Sequence, residues 1–278
     1  MVGERQAAAG PVRVAVAGGT GVVGRHVVEA LTAAGYRPVP LARATGVDLV
    51  TGQGLDDALH GVSCVIDVSN VTTTRRARSV AFFEAGTRTL LAAEARAGVG
   101  HHVVLSIVGV DRVDLGYYHG KRRQEELVLT GPVPASVLRA TQFHEFAAQL
   151  LARGGPLPVV PQMLCRPIAA REVAAALVRL TAAGPMGRAP DLAGPVRERM
   201  PDMVRRLLRV RSSRRPVIGL RVPGPLGAAL AGGGLLPEAD GPLGVQTFDE
   251  WLACPDATAA ALPAGVGEVD GAARAGAG

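Results

Sequence analysis

Three glycines at intervals of three, Gly18, Gly21 and Gly24, stand between the chain's first apolar run and its first helical pattern. The run VRVAVAG (12–18) reads as a buried strand, and VVGRHVVEALTAAG (22–35) as a helix closed by Gly35. Each glycine then has a task. The first permits a tight exit from the strand, and the second lets a ligand approach the backbone closely. The third brings the helix down onto the sheet. With Gly19, Thr20, Val22 and Val23 they form a turn whose N–H groups collect at a helix start, where the dipole favours phosphate. Placement carries the argument, because 36 of 278 residues are glycine.

Beyond this turn, apolar runs alternate with helical patterns. Strands are expected at 37–43, 63–69, 101–106 and 133–140, with helices at about 75–97 and 116–130. Right-handed crossovers between them build an α/β, Rossmann-type, doubly wound parallel sheet over 12–141, a fold that takes a dinucleotide at its glycine turn. The pattern then changes. Helices at 142–155 and 170–184 flank a proline-broken stretch, and the remainder mixes short helices with strands such as RPVIGLRVP (215–223). The expected organisation is a small C-terminal substrate lobe from 142–165 and 185–254, with 166–184 packing back on the sheet. Residues 1–11 and 255–278 read as disordered tails.

Composition removes several function classes. Hydrophobic residues make up 48% and mean hydropathy is +0.23, so a packed core is expected over most of the length. No apolar run reaches the ~18–20 residues of a membrane span, and MVGERQAAAG lacks the apolar core of a signal peptide. The three cysteines lie far apart without CxxC spacing, which argues against disulfides or zinc and for the cytoplasm. The net charge is +6, with arginine clusters at 75–78 and 205–215. In the second, Arg205, Arg206 and Arg209 alternate with Leu207, Leu208 and Val210, the signature of a solvated helix face rather than a nucleic-acid surface. The expected partner is a small molecule, with neither nucleic acid nor membrane, and the chain is a monomer or homodimer.

Leu41-Ala42-Arg43 at the end of the second strand offers no acid to hold a ribose 2′-hydroxyl, whereas the Arg43 fork suits a 2′-phosphate. NADP(H) is therefore expected over NAD(H). Asp48 is a candidate adenine contact. Tyr117 and Lys121, four apart, share a helix face. At about 4 Å and an effective dielectric near 20, an ammonium stabilises a phenolate by about 4 kcal/mol. Such a lysine would bring the phenol toward neutral pH as a general acid or base and also reach the nicotinamide ribose. Lys121 is the single lysine among 30 basic residues, so an arginine was not adequate there. Ser106 ends a strand at the carboxyl edge and could bond the substrate oxygen, with Ser69 and Asn70 lining the nicotinamide side. His144 is a candidate substrate contact. Phe143, Phe146 and Trp251 are read as lobe packing open to substrate, and Cys64 as core. His101 and His102 point to opposite faces of a strand and do not make a metal site.

These residues resemble the short-chain dehydrogenase/reductase superfamily, in its atypical branch with NmrA-like proteins. The resemblance rests on GGTGVVG (18–24), LAR (41–43), DVSN (67–70), SIVGVDRV (106–113), YYHGK (117–121) and LRATQFHEF (138–146), and extends over about 12–252. It implies that Tyr117 and Lys121 take the superfamily's tyrosine and lysine roles. Ser106 would be its serine, although it lies closer to the tyrosine than is usual. Many NmrA-like regulators lack the Tyr/Lys pair, so its presence favours an enzyme. The expected activity is NADPH-dependent reduction of a carbonyl or activated double bond of a small organic substrate. The alternatives are a redox-sensing NADP(H)-binding regulator and a non-redox isomerase or dehydratase built on the same groups.

Overall fold

The computed structural model describes residues 11–153 and 157–254. The expected tails, apart from Pro11, and the end of the helix at 154–155 lie outside these residues. In chain order the first half contains β1 (Arg13–Ala17), α1 (Val22–Ala33), β2 (Arg37–Leu41), α2 (Leu55–Leu59), β3 (Val62–Asp67), α3 (Arg76–Ala97), β4 (His101–Ile107), α4 (Gly116–Leu129) and β5 (Ala135–Ala140). The second half contains α5 (Glu145–Arg153), β6 (Val159–Pro161), β7 (Leu164–Cys165), α6 (Ala170–Ala183), β8 (Gly187–Arg188), β9 (Glu198–Arg199), α7 (Met200–Val210), β10 (Ile218–Leu220), α8 (Gly224–Ala231) and α9 (Phe248–Leu252). Among the described residues no helix is long and apolar enough to cross a membrane.

Six strands form one parallel sheet in the order β2-β1-β3-β4-β5-β8. From β1 the chain steps outward to β2 and then returns past β1 to β3. The topology therefore reverses between β1 and β3, where open α/β sheets bind ligands beyond the carboxyl ends of their strands. The register sets Ala17 beside both Leu41 and Asp67, so these three residues mark that edge.

Strand alternation divides the core. Val14, Val16, Cys64, Ile66, Val103, Leu105 and Leu138 meet α1 and α6 on one face. Ala15, Ala17, Val65, Val104 and Val137 meet α2, α3 and α4 on the other. Residues 170–183 thus return to the sheet against α1. A third core joins α5, α7, α8 and α9 through Ala147, Leu151, Met203, Leu207, Leu230 and Trp251, and Val110, Val113 and Tyr118 tie it to the sheet's carboxyl rim.

Some local expectations change. The five anticipated strands are present, but β8 is two residues long and too short to leave a periodic signal. Of 215–223 only Ile218–Leu220 is a strand. In α7, Leu207 and Leu208 are buried while Arg205 pairs with Asp202 at 2.7 Å and Arg206 with Asp249 at 2.8 Å, but Val210 is exposed. Phe143 leaves the lobe altogether: it bridges to Ile168 and packs against the sheet core.

Trp251 is stacked on Phe248 at 5.5 Å between ring centroids and is almost fully buried. Its replacement by alanine opens a cavity the backbone cannot refill, and Trp251→Ala should cost about 3–5 kcal/mol in urea unfolding. A loss below about 1 kcal/mol would show that the lobe core does not depend on this ring.

Candidate active site

The glycine turn meets the steric demands of a phosphate cradle. Gly18 has φ +78°, and a Cβ there would lie 2.9 Å from the Ser69 Cα, so β3's continuation passes directly against the turn. A Cβ on Gly24 would fall 2.1 Å from the Gly18 carbonyl oxygen, which makes glycine obligatory where α1 crosses the turn. Gly21 caps α1 without a side-chain hydrogen bond, and no acid occupies the helix's first turn. The first-turn N–H groups, which have no partner within a helix, therefore remain for an anion. The residues present fit a dinucleotide pyrophosphate.

The Gly18 N–H donates to Leu41 O at 3.0 Å, which joins the end of β2 to the turn. Arg43 follows on the exposed Arg43–Thr45 turn of 3-10 helix, at the same edge as the glycines. Asp48 serves its own loop. Its Oδ1 accepts from the Val50 and Thr51 N–H groups at 2.8 and 3.0 Å, and these hydrogen bonds hold its carboxyl below the usual range. That geometry accounts for Asp48 without an adenine contact.

At the end of β3, Asp67 Oδ1 accepts from the Ser69 N–H at 2.8 Å and turns the chain so that Asn70 faces α4. The Tyr117 hydroxyl donates to Asn70 Oδ1 at 2.6 Å. Tyr117 is held at a second point, because Ser79 Oγ donates to its backbone carbonyl at 2.7 Å, and its ring meets Phe83 edge-on. Phenol, Asn70 and glycine turn thus gather at the β1/β3 crevice. The sequence named Tyr117 and Asn70 separately. Their bond, between residues 47 apart, had no local signal.

Lys121 departs from its expected arrangement. Its side chain is buried, and Nζ donates to Leu105 O at 2.6 Å and to Gln124 Oε1. Gln124 Nε2 in turn donates to Asp67 Oδ2 at 2.8 Å. The ammonium also lies 4.8 Å from the Phe83 ring centroid. Its interactions therefore go to the interior, while the phenol's goes to Asn70. Burial lowers Lys121 to about 8, against the opposing fields of Asp67 and Glu125. Burial, and next the neighbouring Tyr118, push Tyr117 above the ordinary phenol value. The expected lowering of the tyrosine by the lysine is thus reversed: desolvation outweighs a charge that faces elsewhere. The Asp67–Gln124 link was missed in the sequence, where only the three-residue step from Lys121 to Gln124 hinted at it.

Ser106 lies buried on the sheet face beneath α4, with its hydroxyl beside Glu125. Glu125 binds Arg139 through two bonds of 2.9 and 2.8 Å, so Ser106 belongs to a buried ionic cluster and not to the substrate side of Asn70 and Tyr117. His144 also moves from cleft to core. It is fully buried, its Nε2 lies 3.1 Å from Gln246 O, and Phe248 and Trp251 flank its ring. Burial lowers it to about 4, so it stays neutral as packing for the lobe. Phe143 is half-buried against the sheet core, in the cluster that includes Val22 and Val68. His101 and His102 face different partners, Ser136 Oγ at 2.9 Å and the buried Glu94 carboxylate at 2.8 Å.

No family model matches the chain. A (4-alkanoyl-5-oxo-2,5-dihydrofuran-3-yl)methyl phosphate reductase of Streptomyces griseus subsp. griseus is 34% identical over 205 residues, which span 65% of this chain and 67% of that protein. Among solved structures, a short-chain dehydrogenase/reductase superfamily protein from Agrobacterium tumefaciens with bound NAD aligns at a TM-score of 0.64. The match covers 89% of this chain and 96% of that one at 21% identity. An NADPH-dependent quinone oxidoreductase from Escherichia coli aligns at 0.61 over 86% of this chain and 98% of its own, at 18% identity. Such identities speak for the fold alone, a doubly wound α/β sheet.

Lys121 also makes a prediction about stability. Its folded value, about 8, lies below the unfolded 10.5, so between them the unfolded chain binds more protons. The cost of burying the charge is complete below about pH 8 and fades as the pH rises toward 10.5. Compared with Lys121→Met, the native chain should gain stability across that window, on the order of 3 kcal/mol, in urea unfolding at several pH values. A difference independent of pH would contradict the buried, depressed lysine.

Proposed function

The chain belongs to the short-chain dehydrogenase/reductase superfamily and is an oxidoreductase with a nicotinamide cofactor; on that premise we propose that it uses NADPH to reduce a carbonyl-conjugated double bond or a carbonyl of a small organic substrate. The observation that carries this reading is the Tyr117 phenol, held by Asn70 at 2.6 Å beside the glycine turn. The cofactor supplies hydride when bound. The residues around it bind, orient and move a proton.

The turn at 18–24 holds the pyrophosphate through backbone N–H groups at the start of α1. Arg43, at the same edge, receives the 2′-phosphate through its planar fork. Asn70 fixes the phenol through the hydroxyl, and Ser79 fixes the backbone that carries it. Burial keeps Tyr117 protonated at neutral pH, the state a general acid requires. As negative charge develops on the substrate's carbonyl oxygen, the phenol turns its single O–H from Asn70 Oδ1 to that oxygen and donates its proton. Lys121 has to exchange Leu105 and Gln124 for the ribose before it can grip the cofactor.

The relative's name supports the choice of acceptor. A 4-alkanoyl-5-oxo-2,5-dihydrofuran ring has a carbon–carbon double bond conjugated to both a ring carbonyl and an acyl group. For this chain we take the same class, an activated alkene or its parent ketone.

Two measurements test the reading. Tyr117→Phe should keep NADPH affinity within about twofold and lower turnover of an enone or ketone at least ~10²-fold; undiminished turnover would assign the proton to another group. In fluorescence titrations the native chain should bind NADPH more tightly than NADH, and Arg43→Ala should remove about 1–3 kcal/mol of that preference. Tighter NADH binding by the native chain would reverse the cofactor assignment.

A further inference from the structure

The segment between Asn70 and Ser79 is anchored to the same tyrosine at both ends. Asn70 accepts from the Tyr117 hydroxyl at 2.6 Å, and Ser79 donates to the Tyr117 carbonyl at 2.7 Å. Its middle is fixed as well. A Cβ on Gly116, the residue before Tyr117, would fall 2.3 Å from Thr74 O and 3.0 Å from Arg76 N, so the strip of backbone presses on the start of α4. Residues 71–78 therefore run along the start of α4, between the two points at which Tyr117 is held.

This strip is chemically one-sided. It reads Val-Thr-Thr-Thr-Arg-Arg-Ala-Arg, and no acid occurs between Asp67 and Glu84. Arg75, Arg76 and Arg78 are exposed, and among the described residues none of them has an ion-pair partner. The nearby acid on α4's approach, Asp114, is engaged by His119 at 2.7 Å. Arg76 opens α3 three residues before Ser79, on the helix side that Ser79 turns toward Tyr117, and Arg75 caps that helix. Three unneutralised guanidinium groups on one short strip repel one another, and a dianion on that strip would relieve the repulsion. The fork of arginine matches the oxygens of a phosphate in particular.

We propose that Arg75 and Arg76 form a subsite for a phosphate monoester group of the substrate, beside the start of the helix that carries Tyr117. The assignment rests on the reductase reading of the site and adds the charge class of what it reduces. The phosphate anchors the far end of the substrate, leaving the reducible group to reach the phenol.

The test uses the full chain saturated with NADPH and phenyl phosphate as the probe, with benzyl alcohol and acetate as neutral and monoanionic controls. Calorimetry should show phenyl phosphate binding, with acetate and benzyl alcohol at least tenfold weaker. Arg75→Ala/Arg76→Ala should weaken phenyl phosphate at least tenfold while the separately titrated NADPH affinity stays within twofold. If the double variant binds phenyl phosphate as well as the native chain, or acetate competes equally, the phosphate subsite is overturned. Loss of NADPH affinity in the variant would overturn it too, by assigning these arginines to the cofactor. A native chain that binds phenyl phosphate but no dinucleotide would instead sink the reductase reading and leave the anion subsite standing.

Discussion

The charge of Lys121 is costly to bury, and its surroundings explain much of how the layers are arranged. An ammonium taken out of water loses several kcal/mol of hydration unless acceptors and opposite charge replace it. Here the replacements come from four elements: Leu105 from β4, Gln124 from α4, Phe83 from α3 and the field of Asp67 from β3. To satisfy one nitrogen, α4 has to lie across β3 and β4 while α3 crosses close to α4. Gly120 makes that crossing feasible, since a Cβ there would fall 2.2 Å from Ser79 Oγ and 2.6 Å from the Phe83 ring. An arginine would bring five donors into a place that supplies two acceptors, which gives a physical reason for a lone lysine in a chain otherwise basic through arginine.

The same burial separates the two members of the Tyr/Lys pair. Proximity on a helix predicts that a cation stabilises a phenolate, and that holds only when the cation faces the phenol with little else to satisfy it. In this arrangement the ammonium is satisfied by the interior and the phenol by Asn70, so desolvation acts on each alone and moves both toward their neutral forms. A neutral phenol suits proton donation.

What could be read from the sequence was whatever depends on short-range pattern. Five strands, the long helices and the glycine turn follow from alternation, 3.6-residue periodicity and a Gly-x-x-Gly-x-x-Gly placed between the first strand and helix. Asn70 and Arg43 were singled out because they follow the carboxyl ends of strands, and Tyr117 because it stands four before the lone lysine. What escaped was pairing across the fold. Asn70 with Tyr117, Asp67 with Gln124 and Glu125 with Arg139 join residues far apart in the chain, and no single-sequence period encodes them. His144 and Ser106 were misplaced for the same reason. Both stand near the carboxyl edge, but which way each side chain turns is set by neighbours such as Gln246 and Glu125 that the local sequence does not contain.

Tyr117 and Tyr118 show how the lobe and the chemistry are linked. One step along α4 turns a side chain by about 100°, enough to send consecutive residues to different surroundings. Tyr118 enters the lobe core with Val113 and Leu230, whereas Tyr117 packs against the margin of that core and bonds Asn70 at the sheet's edge. The lobe is fastened at this rim a second time, by Arg112 donating to Gly234 O at 3.2 Å and by Gly109 lying where a Cβ would fall 2.1 Å from the same oxygen. Repacking the lobe for a new substrate therefore acts on the helix start that carries the proton donor. Variation in the lobe that keeps Tyr118 and the Gly109–Gly234 contact in place can change what enters the cleft without moving the phenol. Variation that displaces either one shifts the phenol with the pocket, which is the physical limit on how freely this scaffold can exchange substrates.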